Sequence, residues 1–180
     1  NAFLATKITF INEMANLCEK LDVNIEDISI GMGLDKRIGS RFLRAGPAYG
    51  GSCFPKDTRA IVTTGDYFQT NLSVVKSVIK SNDNRSSLLL KRTYDLLNGK
   101  VKNKKICFLG VTFKANTDDM RDSSSLKMIP SLIKKGAIIN YYDPSGEKKI
   151  FSKLKNIYFS KDVKSAIKDA DLIIIHTEWN

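Results

Sequence analysis

At Asn98-Gly99 the hydrophobic period of the chain changes, and that change confines the fold to two bodies of different kind. Upstream, apolar residues recur every three or four positions. Phe3, Leu4, Ile8, Ile11, Met14, Ala15, Cys18 and Leu21 predict an amphipathic helix over 3–21. Asn24, with Asp27 three residues on, predicts a capped short helix that Gly31 and Gly33 end. Residues 34–53 read as a loop-rich segment, and Pro55 opens a helix running to about Gly65. A long helix follows from about Leu72 to Leu97, on the order of 40 Å at 1.5 Å per residue. Such a rod joins domains, forms a subunit interface or packs along its own domain.

Downstream of Gly99 the pattern is that of alternating strands and helices. Lys105–Val111 is a short apolar run behind a lysine cluster, as expected of a buried parallel strand. A helix over 124–135 with Ser123 or Ser124 as cap, a strand over 137–142 closed by Asp143-Pro144, a short strand over 157–159, a helix over 163–170 and a strand over 172–176 follow. The fold class is therefore α+α/β: an all-helical domain (1–99) joined by the long helix to an incomplete Rossmann-like parallel α/β domain (100–180). Gly110 is followed by Val111-Thr112-Phe113-Lys114, so the first strand lacks the GxGxxG dinucleotide fingerprint. Ligands of open sheets bind beyond the carboxyl ends of the strands, where Phe113, Lys114 and Arg121 fall. A flat aromatic and two cations suit a base and phosphates; a solvated loop is the competing reading.

Gly50-Gly51-Ser52-Cys53-Phe54-Pro55-Lys56-Asp57 carries the clearest chemistry. The glycines free the backbone, and Pro55 suits a first helical turn. Cys53 then lies near the positive end of a helix dipole and close to Lys56, both of which favour the nucleophilic thiolate. The alternative is a small buried apolar cysteine, a description that fits Cys18 and Cys107 within their apolar runs. His176, at the end of a strand, reads as structural.

With 180 residues, 42% of them hydrophobic, the chain can form one large or two small domains. Three cysteines without paired spacing imply neither a disulfide framework nor a zinc site, so no metal is expected and a reduced, cytoplasmic setting is. No apolar run has membrane-spanning length and no leader pattern is present, so no membrane partner is expected. The net charge of +10 comes from scattered lysines without interleaved aromatics, which argues against nucleic acid and suits a nucleotide diphosphate. An opening at Asn1 within a helix and a stop at Trp179-Asn180 after a strand suggest a piece of a longer protein.

Several motifs, in order, resemble the UDP-glucose/GDP-mannose dehydrogenase family. They are Asn1–Ala5, Asp35–Gly39, Gly46–Asp57, Phe113-Lys114 with Asp119, Arg121 and Ser123–Ser125, and Tyr142-Asp143-Pro144. The Gly-Gly-Ser-Cys-Phe-Pro-Lys-Asp run looks most like the UDP-glucose branch; Ala48 departs from a frequent glycine.

The resemblance implies NAD-dependent oxidation of the sugar C6 of UDP-glucose to the carboxylate of UDP-glucuronate. Two successive hydrides leave, and the second converts a Cys53 thiohemiacetal to a thioester that water opens. Asn1 and Asp57 match residues that polarise substrate or water, a helix-start role for Asp57 being the structural alternative. Phe42, Leu43, Arg44, Ala45, Gly46, Tyr49 and Gly50 match a loop closing on the substrate. Arg37 matches an arginine reaching a neighbouring subunit's substrate. Phe113 and Lys114 match the uridine side, and Lys56 and Arg121 match NAD contacts. The family also implies a homodimer through the helical domain, a preceding Rossmann domain, and hence an inactive piece in isolation. The alternatives are oxidation of GDP-mannose or a UDP-N-acetyl-hexosamine, or a dimerisation module without chemistry.

Overall fold

The computed structural model describes residues 1–179. Two compact units divide between Asn84 and Arg85.

In the first unit, α1 (Ala2–Leu21) ends at Asp22, whose left-handed backbone (φ 54°) turns its N–H onto the Cys18 carbonyl. Asn24 caps α2 (Ile25–Leu34) by accepting the Glu26 N–H at 3.0 Å. The expected stop at Gly31 and Gly33 does not occur, because α2 runs through both glycines. Gly33 serves close approach instead: a Cβ there would lie 3.0 Å from the Ser40 Cα of the following loop. The next helix, α3 (Cys53–Tyr67), starts ahead of Pro55, which is buried in its first turn, and outlasts Gly65. Ala5, Tyr49 and Val78 form a buried cluster against which Ile8 and Phe54 pack.

The long helix α4 (Ser73–Leu96) straddles the division. From Arg85 onward its apolar face belongs to the second unit, where Leu89, Leu90 and Tyr94 pack against that unit's core. The boundary therefore falls inside the helix rather than near residue 99, since one periodic stripe serves two cores.

The second unit is built on a parallel sheet of β1 (Lys105–Leu109), β2 (Ile138–Tyr142), β3 (Ile157–Phe159) and β4 (Leu172–Ile175) in the order β3-β2-β1-β4. Ile106 is in register with Ile139 on one side and Leu172 on the other. Helix α5 (Ser125–Lys134) connects β1 to β2, and α6 (Val163–Ile167) precedes β4. Ile106, Phe108, Ile129, Leu132 and Ile139 are fully buried, each worth roughly 1.5–3 kcal/mol of transfer free energy.

Strands run outward from β1 to β3 on one side, and β4 returns to the other. The strand order thus reverses between β1 and β4, and the crevice at a parallel sheet's carboxyl end opens at such a point. The first strand ends at Leu109 rather than Val111, because Gly110 takes a left-handed backbone (φ 75°). A Cβ at Gly110 would sit 2.4 Å from the Thr177 Cβ, so only glycine lets the segments after β1 and β4 approach this closely.

Candidate active site

Cys53 is the first residue of α3, and its side chain is exposed, whereas Cys18 and Cys107 are buried. Burial pushes the Cys107 thiol up to about 11, which leaves it inert. Gly51, with φ 77°, makes the turn that brings the chain into the helix. Ser52 Oγ lies 3.6 Å from the Cys53 sulfur. Phe54 anchors this turn between two rings of the preceding loop, Phe42 at 6.0 Å and Tyr49 at 6.1 Å edge-on.

One turn along α3, Lys56 Nζ meets Asp57 Oδ1 at 2.5 Å. The other carboxylate oxygen of Asp57 accepts the Asn1 side-chain amide, so the residue preceding α1 is tied to the first turn of α3. Asn1 occupies the N-cap position of α1 but spends its side chain on Asp57 rather than on capping. The Lys56 and Asn1 hydrogen bonds hold the Asp57 carboxyl below the usual carboxylate range. The Lys56 ammonium is raised in turn, chiefly by its hydrogen bond to Asp57. The thiol, the ammonium, the carboxylate and the amide thus share one end of one helix.

The loop before α3 is pinned by side chains from three helices. Asn12 of α1 accepts the Gly46 N–H at 2.7 Å. Asn82 of α4 bonds both the N–H (2.9 Å) and the carbonyl (3.0 Å) of Tyr49. Ser29 of α2 donates to the Leu43 carbonyl at 2.6 Å. Leu43, Tyr49 and Gly50 are buried, Ala45 and Gly46 half-buried, and Phe42 and Arg44 exposed. Phe42 carries a left-handed backbone (φ 65°). Arg37 is exposed and folded bidentately onto Asp35, the nearer pair at 2.6 Å; that bond raises the guanidinium and depresses the carboxyl. The backbone just after Arg37 is held by Lys7 Nζ, 2.9 Å from the Ile38 carbonyl.

In the second unit, the segment after β1 carries Phe113, Lys114 and Arg121. Lys114 Nζ lies 5.6 Å from the Phe113 ring centroid, a cation–π contact that leaves the ammonium exposed. Arg121 grips Asp119 bidentately, the nearer pair at 2.7 Å, and so depresses that carboxyl.

Sequence reasoning passed over the residues that hold both loops in place. Asn12 and Asn82 interrupt apolar helix stripes, and that interruption was their available signal. Asp143 stood within a matching motif without a role. It is buried and accepts the Val111 N–H at 2.8 Å and the Ser145 N–H at 3.0 Å, with Lys148 Nζ at 3.5 Å. His176 is buried, as its structural reading anticipates, between Ser124 and Thr177. Ser124 is the N-cap residue of α5, yet its hydroxyl serves His176 rather than the helix. Among the described residues, no cluster of His, Cys, Asp and Glu could hold a metal, and no helix is long and apolar enough to cross a membrane.

Residues 1–84 match the central domain of the UDP-glucose/GDP-mannose dehydrogenase family, and residues 107–180 match that family's UDP binding domain. The chain is 46% identical over its whole length to a UDP-glucose 6-dehydrogenase of Rhizobium meliloti, of which it covers 41%. It is equally 46% identical to one of Rickettsia prowazekii, covering 42%. A UDP-glucose dehydrogenase structure from Pyrobaculum islandicum superposes with a TM-score of 0.92 at 33% identity, over 99% of this chain and 41% of that one. The chain thus spans about two fifths of the length of these relatives. The motifs around Cys53 and Phe113, the parallel sheet and these matches agree: the chain belongs to the UDP-glucose/GDP-mannose dehydrogenase family.

Proposed function

We propose that the whole protein is an NAD-dependent UDP-glucose 6-dehydrogenase, and that this chain supplies its nucleophile and the loop that holds the uridine. The observation that carries this reading is an exposed thiol at the first residue of α3, beside Lys56, Asp57 and Asn1. NAD, when bound, accepts the hydrides of both oxidations. For that cofactor the described residues fit as charge contacts only. A pyrophosphate cradle needs free N–H groups at a glycine-rich turn that opens a helix. Here the Val111 N–H is committed to Asp143, and α5 begins only at Ser125. Lys56 and Arg121 are exposed cations of the kind that meet phosphate oxygens.

The chain's own residues account for the remaining chemistry. The Cys53 sulfur adds to the C6 aldehyde, forming a C–S bond as the carbonyl oxygen takes up a proton. Loss of hydride from C6 and of the hydroxyl proton to solvent converts that thiohemiacetal to a thioester. Water adds to the thioester carbonyl, the C–S bond breaks, and the thiolate leaves with the carboxylate as product. Asp57 accepts a hydrogen bond from that water, and Asn1 holds Asp57 in place while donating toward developing negative charge. Phe42 through Gly46, Tyr49 and Gly50 close over the sugar, and Arg37 reaches toward a second subunit's substrate. Phe113 stacks on the uracil while Lys114 meets its polar edge or a phosphate.

A homodimer through the helical half, taken to about residue 99, fits the apolar side chains that α1 leaves exposed at seven-residue spacing, Phe3, Phe10 and Leu17. A free exposed thiol and a nucleotide-sugar substrate suit a reducing, cytoplasmic setting. The test is NADH formation by the whole protein with UDP-glucose, GDP-mannose and UDP-N-acetyl-hexosamines in parallel. Turnover of UDP-glucose that Cys53→Ala abolishes supports the assignment. Absence of turnover with UDP-glucose, or carboxylate formation undiminished in Cys53→Ala, overturns it.

A further inference from the structure

A one-way chain of hydrogen bonds runs through the second unit at the point where the strand order reverses. Its direction follows from the acceptors. The Thr112 carbonyl can only accept, so the Thr177 hydroxyl donates to it at 2.7 Å. The Thr177 oxygen is then left to accept, and His176 Nδ1 must carry the proton that reaches it at 3.1 Å. In a neutral imidazole this leaves Nε2 bare, so Ser124 Oγ donates to it at 2.7 Å. Burial keeps the ring neutral, with its pKa lowered to about 4. Beyond Thr177, the hydroxyl of Thr112 donates to the Lys114 carbonyl at 2.9 Å.

Thr112 and Ser124 are buried along with His176 and Thr177, so a polar atom left unpaired in this chain has no water to turn to. The residue before Thr112 is clamped as well. Ser123 and Ser125 both donate to the Val111 carbonyl, at 2.7 and 2.6 Å, and Asp143 takes its N–H.

We propose that His176 and Thr177 are positioning residues for the nucleotide site, fixing the Lys114 main chain through Thr112 and thereby the grip on the uridine diphosphate. The proposal rests on the assignment of Phe113 and Lys114 to the uridine end made above. Neither His176 nor Thr177 needs to touch the ligand. Ser124 orients the ring, the ring orders the Thr177 hydroxyl, and that hydroxyl holds Thr112, whose own hydroxyl bonds the Lys114 carbonyl two residues on.

The test uses the whole protein with Thr177→Val, which keeps the shape packed on Gly110 but removes the hydroxyl, and Thr177→Ser, which restores it. UDP affinity is read by calorimetry, and amide hydrogen exchange is read at Phe113, whose N–H bonds the Asp119 carbonyl at 3.3 Å. Thr177→Val is expected to weaken UDP binding about tenfold, the loss of one buried hydrogen bond, and to speed exchange at Phe113. Thr177→Ser is expected to stay within about threefold of the parent. His176→Asn, whose amide can still donate to Thr177, falls between them.

Equal UDP affinity in Thr177→Val and the parent overturns the proposal, as does an equal loss in Thr177→Ser, which would make packing the cause. Failure of the unaltered whole protein to bind UDP overturns the uridine assignment instead. In that event, faster Phe113 exchange in Thr177→Val alone still supports the clamp, and unchanged exchange removes it.

Discussion

Asn1 and Asp57, 56 positions apart in sequence, are joined side chain to side chain, the amide donating to a carboxylate oxygen. The bond ties the start of α1 to the first turn of α3, within one turn of the Cys53 thiol. It also leaves α1 without the side-chain cap that asparagine at this position favours, at a cost of about 1 kcal/mol. A side chain diverted from capping its own helix toward a carboxylate near the Cys53 thiol fits the positioning role proposed for Asn1.

Replacing Asp57 by Ala is expected to leave folding nearly intact, because its ion pair with Lys56 lies at the surface. Turnover by the whole protein should fall by about 100-fold or more, given the role proposed for Asp57 in orienting the attacking water. Thermal melting and NADH formation, measured on the same preparation, separate the two effects. A large fall in melting temperature with normal turnover per folded molecule would make Asp57 a structural residue.

Alkylation should discriminate among the three cysteines. Cys53 is exposed while Cys18 and Cys107 are buried, so iodoacetamide under native conditions should label the Cys53 peptide first, by a factor on the order of 100. Peptide mass spectrometry over a time course reads the ratio. Comparable labelling of Cys107 would mean that the second unit opens readily.

Gly110→Ala should be among the most damaging single substitutions in the second unit. The added Cβ would meet Thr177 at 2.4 Å while the backbone stays at φ 75°, two separate penalties of about 1–3 kcal/mol each. Loss of UDP binding together with a lowered melting temperature is the expected outcome. A variant that binds UDP normally would show that the segments after β1 and β4 can separate at little cost.

The regular elements were legible because each follows a short-range pattern. Apolar steps of three and four residues marked α1 and α4, and short apolar runs marked β1, β2 and β4. What escaped depended on distant partners. Gly33 looked like a helix stop and is instead a place where Ser40 comes close, something visible only once the loop has folded back. Ser124 looked like a helix cap, but a histidine far along the sequence claims its hydroxyl. The division of α4 between two cores was hidden because a single helical stripe carries no mark of which neighbour it faces. At the site, the Cys53 loop could be read from residue types alone. Its pins, Asn12 and Asn82, showed only as breaks in apolar helix stripes, which mark a buried polar role but not the loop each one holds.

The buried imidazole makes stability depend on pH in a window of its own. His176 has a pKa of about 4 in the fold against an ordinary value of 6.5, with desolvation lowering it and the Asp143 charge partly opposing. Between those values the unfolded chain binds the proton and the folded chain does not, so stability rises with pH across the window. The contribution is complete above about 6.5 and lost as pH falls toward 4, a swing of about 3 kcal/mol. The depressed carboxyls of Asp35, Asp57, Asp119, Asp162 and Asp171 act lower, with stability that is present above their ordinary value of 3.8 and lost below it. Urea unfolding monitored through the second unit should therefore show a midpoint that climbs between pH 4 and 6.5 in the parent. His176→Asn should flatten that climb while leaving the acid limb below pH 3.8 in place. An unchanged slope in the variant would mean that His176 is not the titrating group.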